Sequence, residues 1–203
     1  MSRLALLFFI AAVSLAGPAG ADDLNLQAGQ AWKFKDAPSP DAIVIIGRID
    51  RDVDPMIAHV AIEGLPNIQR DPEPLRGGVI AQEAGRNEDK FWCKYSLKPS
   101  PDNKSVEISV IYMPIEYNAL ASSLTTLEAS DVALNDQFQY EYDNWDYMRV
   151  ENGYEETDGA IAIKPLSESV QMIIASAKSA ISMLKRILPE IERMQDKMRN
   201  KEQ

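Results

Sequence analysis

Two side chains that could do acid–base or nucleophilic chemistry occur once each in this chain, His59 and Cys93. Any Ser-His-Asp or Cys-His arrangement would have to use His59, the only histidine. It lies in MIAHVAIEGL, where alternation places it on the same strand face as Ile57 and Ala61. The sequence has no nucleophile-elbow, phosphate-loop or dinucleotide-binding motif. We therefore predict that His59 is a hydrogen-bonded, half-buried strand residue and that the protein is not an enzyme.

Cys93 lies in the alternating stretch DKFWCKYSL, on the same face as Tyr95 and Leu97. A single cysteine in an exported protein is either buried or pairs with another molecule, and we predict burial. Zinc, copper and haem sites need clusters of His and Cys, which one residue of each type cannot build. Hard cations could bind through the carboxylates between Asp143 and Asp158, but their spacing matches no calcium loop, so a solvated acidic loop is the favoured interpretation. The sequence thus predicts no metal centre and no cofactor.

A stretch rich in aromatic and acidic residues, 138–158, could bind a ligand. Aromatic rings stack on sugar faces, and paired carboxylates perform the acid and nucleophile steps of glycoside hydrolysis. The candidate ligand-binding residues are Tyr140, Tyr142, Asp143, Trp145 and Asp146. Because Phe138, Tyr140 and Tyr142 alternate as on one strand face, packing in the core or in an interface also explains these aromatics. A hydrolase or a carbohydrate-binding module is therefore the alternative hypothesis.

The elements that would position these residues are mostly β-strands. Apolar residues alternate in runs near Trp32 and at 42–49, 56–65, 90–98, 105–113 and 137–142, which predicts a mostly antiparallel sheet. The turn sequence SPDNKS predicts a hairpin between the fourth and fifth runs. The connection 65–88 is long and rich in Pro and Gly, with one short strand at GVIAQ. Leu120, Leu124 and Leu127 have the spacing of a short helix.

The strongest pattern is at the end of the chain. Steps of three and four residues from Val170 meet only apolar residues: Ile173, Ala177, Ala180, Leu184, Ile187, Ile191, Met194 and Met198. Lys178 and Lys185 interrupt the run, so it does not predict a transmembrane helix. Ser167 is the expected N-cap, and Pro189, opposite the seam, is expected to kink the helix. We predict that the part before Pro189 braces the core and that the part from about Glu190 on is a freer, strongly charged arm. The predicted interface residues of the helix are Leu184, Ile187, Ile191, Met194 and Met198.

The first residues have the layout of a secretory signal peptide. Arg3 precedes an apolar run, and Ala19-Gly20-Ala21 fits a cleavage site. The formal net charge of −10 argues against nucleic acid as a partner, because nucleic acid is bound through clustered Lys and Arg. We predict a periplasmic or secreted protein with no transmembrane segment in the mature chain.

Three stretches also resemble, in order, a group of small uncharacterised bacterial proteins with no known activity. These proteins carry a Gly-Gln-x-Trp-x-aromatic-Lys stretch, an Ile-x-His strand ending in Gly-Leu, and a Gly-Tyr-Glu-Glu stretch. The matching residues here are Gly29, Gln30, Trp32, Phe34, Lys35, His59, Gly64, Leu65, Gly153, Tyr154, Glu155 and Glu156. The chain departs from the group in its middle, in its charged tail and at Thr157, where the group has Trp. The resemblance implies an α+β unit in which a final strand, GAIAIKP, leads into the last helix.

The predicted fold class is α+β, with a mostly antiparallel sheet packed against a long C-terminal helix. The predicted organisation is a signal peptide at 1–21, a β-rich domain at 22–166, and the helix at 167–203, kinked near Pro189. The predicted function is that of an exported interaction or accessory protein. Its partner would be another protein or a second copy, bound through a coiled-coil surface of the C-terminal helix.

Overall fold

A computed structural model describes residues 24–69, 79–84, 91–102, 104–151 and 161–199. The predicted signal peptide and the Gly-Tyr-Glu-Glu stretch lie outside these residues, as do parts of the 65–88 connection. The strands are β1 (Ala31–Phe34), β2 (Ile43–Asp50), β3 (Ile57–Glu63), β4 (Ile68–Gln69), β5 (Val79–Ala84), β6 (Phe91–Pro99), β7 (Ser105–Glu116) and β8 (Leu124–Ala129). The helices are α1 (Tyr117–Ser123), α2 (Asp136–Glu151) and α3 (Leu166–Arg199).

The strands form one antiparallel sheet in the order β5-β6-β7-β3-β2-β1-β8, with β4 also paired to β7. The predicted β6–β7 hairpin and the predicted short strand β5 are both present. The chain therefore has the predicted α+β fold, with a long C-terminal helix packed on the sheet.

The central strand β3 is buried on both faces. Ala58, Val60 and Ile62 belong to one apolar cluster, whereas Ile57 and Ala61 belong to another. Successive strand side chains point to opposite faces, so the two clusters lie on opposite sides of the sheet. Helices α1 and α3 cover the first side and α2 covers the second.

Helix α2 corrects the prediction of a strand at 137–142. Phe138, Tyr142 and Trp145 are spaced four and three residues apart and pack together against the sheet. Asn135 caps the helix, because its side-chain oxygen accepts the Phe138 N–H at 2.9 Å. Alternation of aromatics from Phe138 to Tyr142 favoured a strand, yet the helical spacing and the cap were also present in the sequence.

Helix α1, which contains Leu120, is shorter than predicted. Helix α1 ends at Ser123, and Leu124 begins β8, which pairs with β1. Pairing with the otherwise unpaired edge of β1 satisfies backbone groups that a longer helix would have left open.

Helix α3 begins at Leu166, so Ser167 lies within its first turn and the N-cap prediction is wrong. The Leu166 N–H instead donates to Ser123 Oγ of α1, at 3.1 Å. Just before it, the implied strand GAIAIKP is reduced within the described residues to a single parallel bridge between Ala162 and Ile115. Helical assignment continues through Pro189 to Arg199, and the kink stays a prediction. No helix in the described ranges is long and apolar enough to cross a membrane.

Candidate functional site

Two features of this fold are candidates for function: a buried polar cluster around His59, and the exposed end of α3. The His59 cluster comprises Asp50, His59, Tyr112 and Tyr142. His59 Nδ1 lies 2.9 Å from Tyr112 Oη, and its Nε2 lies 3.1 Å from Asp50 Oδ2. The Tyr142 hydroxyl donates to the same Asp50 oxygen at 3.5 Å. The His59 side chain is fully buried, so the predicted hydrogen bonding is present but the half-buried position is wrong.

Two irregularities in the sheet bring the partners to His59. Opposite β3, β2 holds one extra residue, Gly47, because Ile46 pairs with Val60 and Arg48 pairs with His59. Ile46 therefore faces α3, while Arg48 and Asp50 face α2.

A similar register shift in β7 places Tyr112 on the α2 side. Val110 and Met113 both lie in the cluster beneath α3, whereas Ile111 and Tyr112 between them lie in the cluster beneath α2. Simple alternation from Val110 would instead have placed Tyr112 beneath α3.

The electrostatics of the His59 cluster keep Asp50 ionised. Burial raises the pKa of Asp50, but hydrogen bonds from His59 and Arg48 outweigh it and lower this pKa from 3.8 to about 2. Ionised Asp50 can only accept, so His59 Nε2–H donates to it, while the other ring nitrogen shares a hydrogen bond with the Tyr112 hydroxyl. Burial also raises the pKa of Tyr112 well above its usual value, which keeps this hydroxyl protonated.

Arg48 closes the cluster on its solvent side. Its Nε donates to Asp50 Oδ1 at 2.8 Å, and its guanidinium carbon lies 4.4 Å from the centre of the Tyr142 ring. The hydrogen bond to Asp50 raises the pKa of Arg48. Arg48 is 55 % exposed, so its charge is hydrated on one side while neutralising a buried carboxylate on the other.

The order carboxylate, imidazole, hydroxyl is that of a catalytic triad, but the surroundings differ. Asp50, His59 and Tyr112 are each no more than 5 % exposed. The Tyr142 and Trp145 rings contact the His59 ring edge to face, each with a centroid distance of 4.9 Å. A substrate has no access to these atoms in this conformation. What the arrangement does is connect β2, β3, β7 and α2 through a satisfied polar network.

The structure does not place the predicted ligand-binding residues on one surface. Tyr142 and Trp145 lie on the buried face of α2, against the sheet, whereas Tyr140 on the same helix is 61 % exposed. Residues two apart in a helix point about 200° away from each other, so Tyr140 and Tyr142 cannot share a face. Asp143 is exposed and accepts a hydrogen bond from Gln139 at 2.8 Å. Neither buried ring offers a face on which a sugar could stack.

A shallow groove of about 480 Å³ lies beside the start of α2, between Gly47, Arg48, Leu134 and Asp136. Its Arg48 already neutralises Asp50. Among the described residues, no group of three or more His, Cys, Asp or Glu side chains could hold a metal ion. Cys93 is buried in the core, as predicted.

The second candidate is the distal part of α3, residues 182–199, which we call the arm. Val170, Ile173, Ala177 and Ile181 are buried against the sheet, and the Tyr95 hydroxyl lies 3.0 Å from Ser176 Oγ. Beyond 181, none of the described side chains of α3 is buried, so the buried segment ends before the predicted boundary near Pro189.

The predicted interface residues lie along the arm. Leu184 and Ile187 are half-buried, and Met194 and Met198 are 56 % and 60 % exposed. The side chain of Ile191 lies outside the described atoms. The apolar seam thus continues well past the point where the sheet stops covering it.

Comparison with known proteins adds no further constraint. The chain matches no protein-family model, no curated protein and no solved structure.

Proposed function

We propose that this chain is an exported accessory protein without catalytic activity, which binds another protein chain through the arm of α3. The observation that carries the proposal is the mismatch along this helix: the seam runs to Met198, but the last buried side chain among those described on the helix is Ile181, beside the seam. Leu184 and Ile187 on the seam are only half-buried, and Met194 and Met198 are exposed. At about 1.5 Å per residue, the arm offers some 27 Å of amphipathic helix to a partner. Burying this row of apolar side chains against a partner would remove them from water and so stabilise the complex.

The charges of the arm fit a protein partner. Lys185, Arg186, Arg193 and Lys197 lie off the seam and are exposed, as is Glu190. A stripe of apolar residues flanked by both signs of charge is the surface of a helix that packs on another helix or in a groove. The sugar-binding alternative has less support, because it needs Tyr142 and Trp145 at a surface and both are buried.

Site-specific photo-crosslinking in expressing cells tests the arm. A photoreactive residue replacing Met194, on the seam, is expected to give a discrete adduct with another chain. The same residue replacing Arg193, exposed and off the seam, is the matched control and is expected to give much less. Absence of adducts at Met194, or equal adducts at both positions, would refute the arm as a binding surface.

Export is tested separately by determining the N-terminus of the protein after expression with its full sequence. Cleavage after Ala21 is expected to leave Asp22 as the first residue. An unprocessed chain that stays inside the cell would contradict export and would leave the arm proposal intact.

A further inference from the structure

The charged residues that flank the seam restrict which partner helix can pair with the arm. In a coiled coil, the positions beside the seam meet the corresponding flank of the other helix. Glu190 and Lys197 both lie on one flank, each one residue before a seam position, and both are exposed. When two such helices pair antiparallel, this flank of one helix lies beside the same flank of the other. An acidic and a basic residue seven positions apart on that flank can then each pair with the opposite charge on the second helix.

We propose that the occupant of the arm is the arm of a second copy, paired antiparallel about a two-fold axis. This inference rests on the proposed function of the arm. In the pair, Glu190 of each copy lies beside Lys197 of the other. Ile187 packs against Met198 of the second copy, and seam position 191 meets position 194. The contact is isologous, so each favourable pair occurs twice.

The register follows from the extent of the sheet. In this alignment residue 186 of one copy lies opposite residue 199 of the other. The second helix therefore stays on the arm, beyond Ile181, where the contact with the sheet ends. A shift of one heptad toward the sheet would bring Met198 opposite Ala180. It would also place Glu190 of one copy beside Glu190 of the other, so that like charges would meet. The charge pattern and the uncovered length thus select the same register.

A parallel pair fits less well. It would set Glu190 against position 195, a Gln, so Glu190 would lose its charge pairing, and it would leave Lys197 to pair with Glu202, beyond the described end of the helix. It would also hold the two sheet domains side by side, although each chain has a formal net charge of −10. In the antiparallel pair these domains lie at opposite ends of the two arms.

The arm is short for a coiled coil, but it does not need to nucleate its own helix. Isolated helices of fewer than about 12 to 15 residues are marginal in water because nucleation is costly. Here the helix is already formed by the segment 166–181, which packs on the sheet. Pro189 occupies the heptad position farthest from the seam, where it does not enter the contact.

Charge reversal tests the pairing in the full mature chain, with sedimentation equilibrium to measure the dimer dissociation constant. Glu190→Lys and Lys197→Glu are each expected to weaken the dimer roughly ten-fold, since each turns two attractive pairs into two repulsive ones. The double variant Glu190→Lys/Lys197→Glu restores both pairs and is expected to return to within about three-fold of the wild type. Arg193→Glu, off the flank, is the control and is expected to leave the constant unchanged.

The outcomes are separable. A dimer that the single reversals leave intact, or that the double variant does not restore, overturns the antiparallel pairing. A wild type that is monomeric at all concentrations overturns the second copy as partner. If Met194 then crosslinks to a different protein, the proposed function survives; if it crosslinks to nothing, both fail. Unfolded variants would be recognised by circular dichroism, and their rescue by the second reversal would not occur.

Discussion

Replacing Asp50 with Asn should change how the stability of this protein depends on pH. The pKa of Asp50 is lowered in the folded chain from 3.8 to about 2. The carboxylate therefore contributes stability above about pH 4, and this contribution is lost as the pH falls toward 2. The difference of 1.8 pH units corresponds to about 2.4 kcal/mol at 1.36 kcal/mol per unit. Screening by water around the exposed Arg48 reduces the expected contribution to about 1 to 2 kcal/mol.

At neutral pH, Asp50→Asn should lower the free energy of unfolding by about 2 kcal/mol, because His59 and Arg48 lose a charged acceptor. Urea unfolding followed by tryptophan fluorescence, at about pH 6 and about pH 2.5, measures the effect. The wild type should lose most of its advantage over the variant at the lower pH, which lies well below the ordinary pKa of 3.8 and close to the folded-state pKa of about 2. Asp143→Asn, at an exposed acid, is the control. An advantage that is the same at both pH values would refute the assignment of the low pKa to the His59 cluster.

Three further predictions follow from the packing. Ending the chain after Leu188 should leave the midpoint of thermal unfolding within about 2 °C of the wild type at low protein concentration. In contrast, Ile173→Ala, in the buried segment of α3, should lower the free energy of unfolding by about 2 to 5 kcal/mol. Ser123→Ala removes the acceptor for the first N–H of α3 and should cost about 1 kcal/mol in urea unfolding, with Ser122→Ala as the exposed control. Cys93 should not react with a thiol reagent until the protein unfolds, because the side chain is buried and burial raises the pKa of its thiol; rapid labelling under native conditions would contradict this.

Much of this fold could be predicted from hydrophobic period alone. Alternation located β2, β3, β6 and β7, and the turn sequence between β6 and β7 identified their hairpin. The steps of three and four residues along α3 identified a long helix and its buried residues Val170, Ile173 and Ala177, although burial among the described side chains ends at Ile181 and not near Pro189. These patterns are reliable because each is repeated over many residues. A strand whose register shifted by one residue would also turn its whole apolar face to solvent.

Helix α2 was mistaken for a strand because Phe138 and Tyr142 fit two periods at once. Phe138 and Tyr142 are four apart, a spacing that fits a strand face and a helix face equally. Trp145 breaks the tie, since it lies three residues beyond Tyr142 and so fits only the helix. The choice also decided the ligand-binding hypothesis, because only a strand would have put Tyr140 and Tyr142 on one surface.

The site around His59 shows a different limit. Its strand and its face were predictable, but its partners Asp50 and Tyr112 reach it through register shifts. Alternation places Asp50 on the face of Ile46 and Tyr112 on the face of Val110, away from His59 in both cases. An isolated glycine inside a strand, here Gly47, is the one local signal of such a bulge.

Gly47 explains how the bulge and the helix above it depend on each other. A side chain at position 47 would overlap the ring of Phe138 and the end of Leu134, so α2 can approach the sheet only over a glycine. The same residue is the extra one in β2 that turns Arg48 and Asp50 toward His59. The close approach of α2 also lets Tyr142 cover His59 and donate to Asp50. One glycine therefore determines both the closed apolar contact and the polar network beneath α2. In the part of the chain that the structure describes, α2 thus covers the apolar cluster on this side of the sheet, whereas α3 extends past the sheet on the other side.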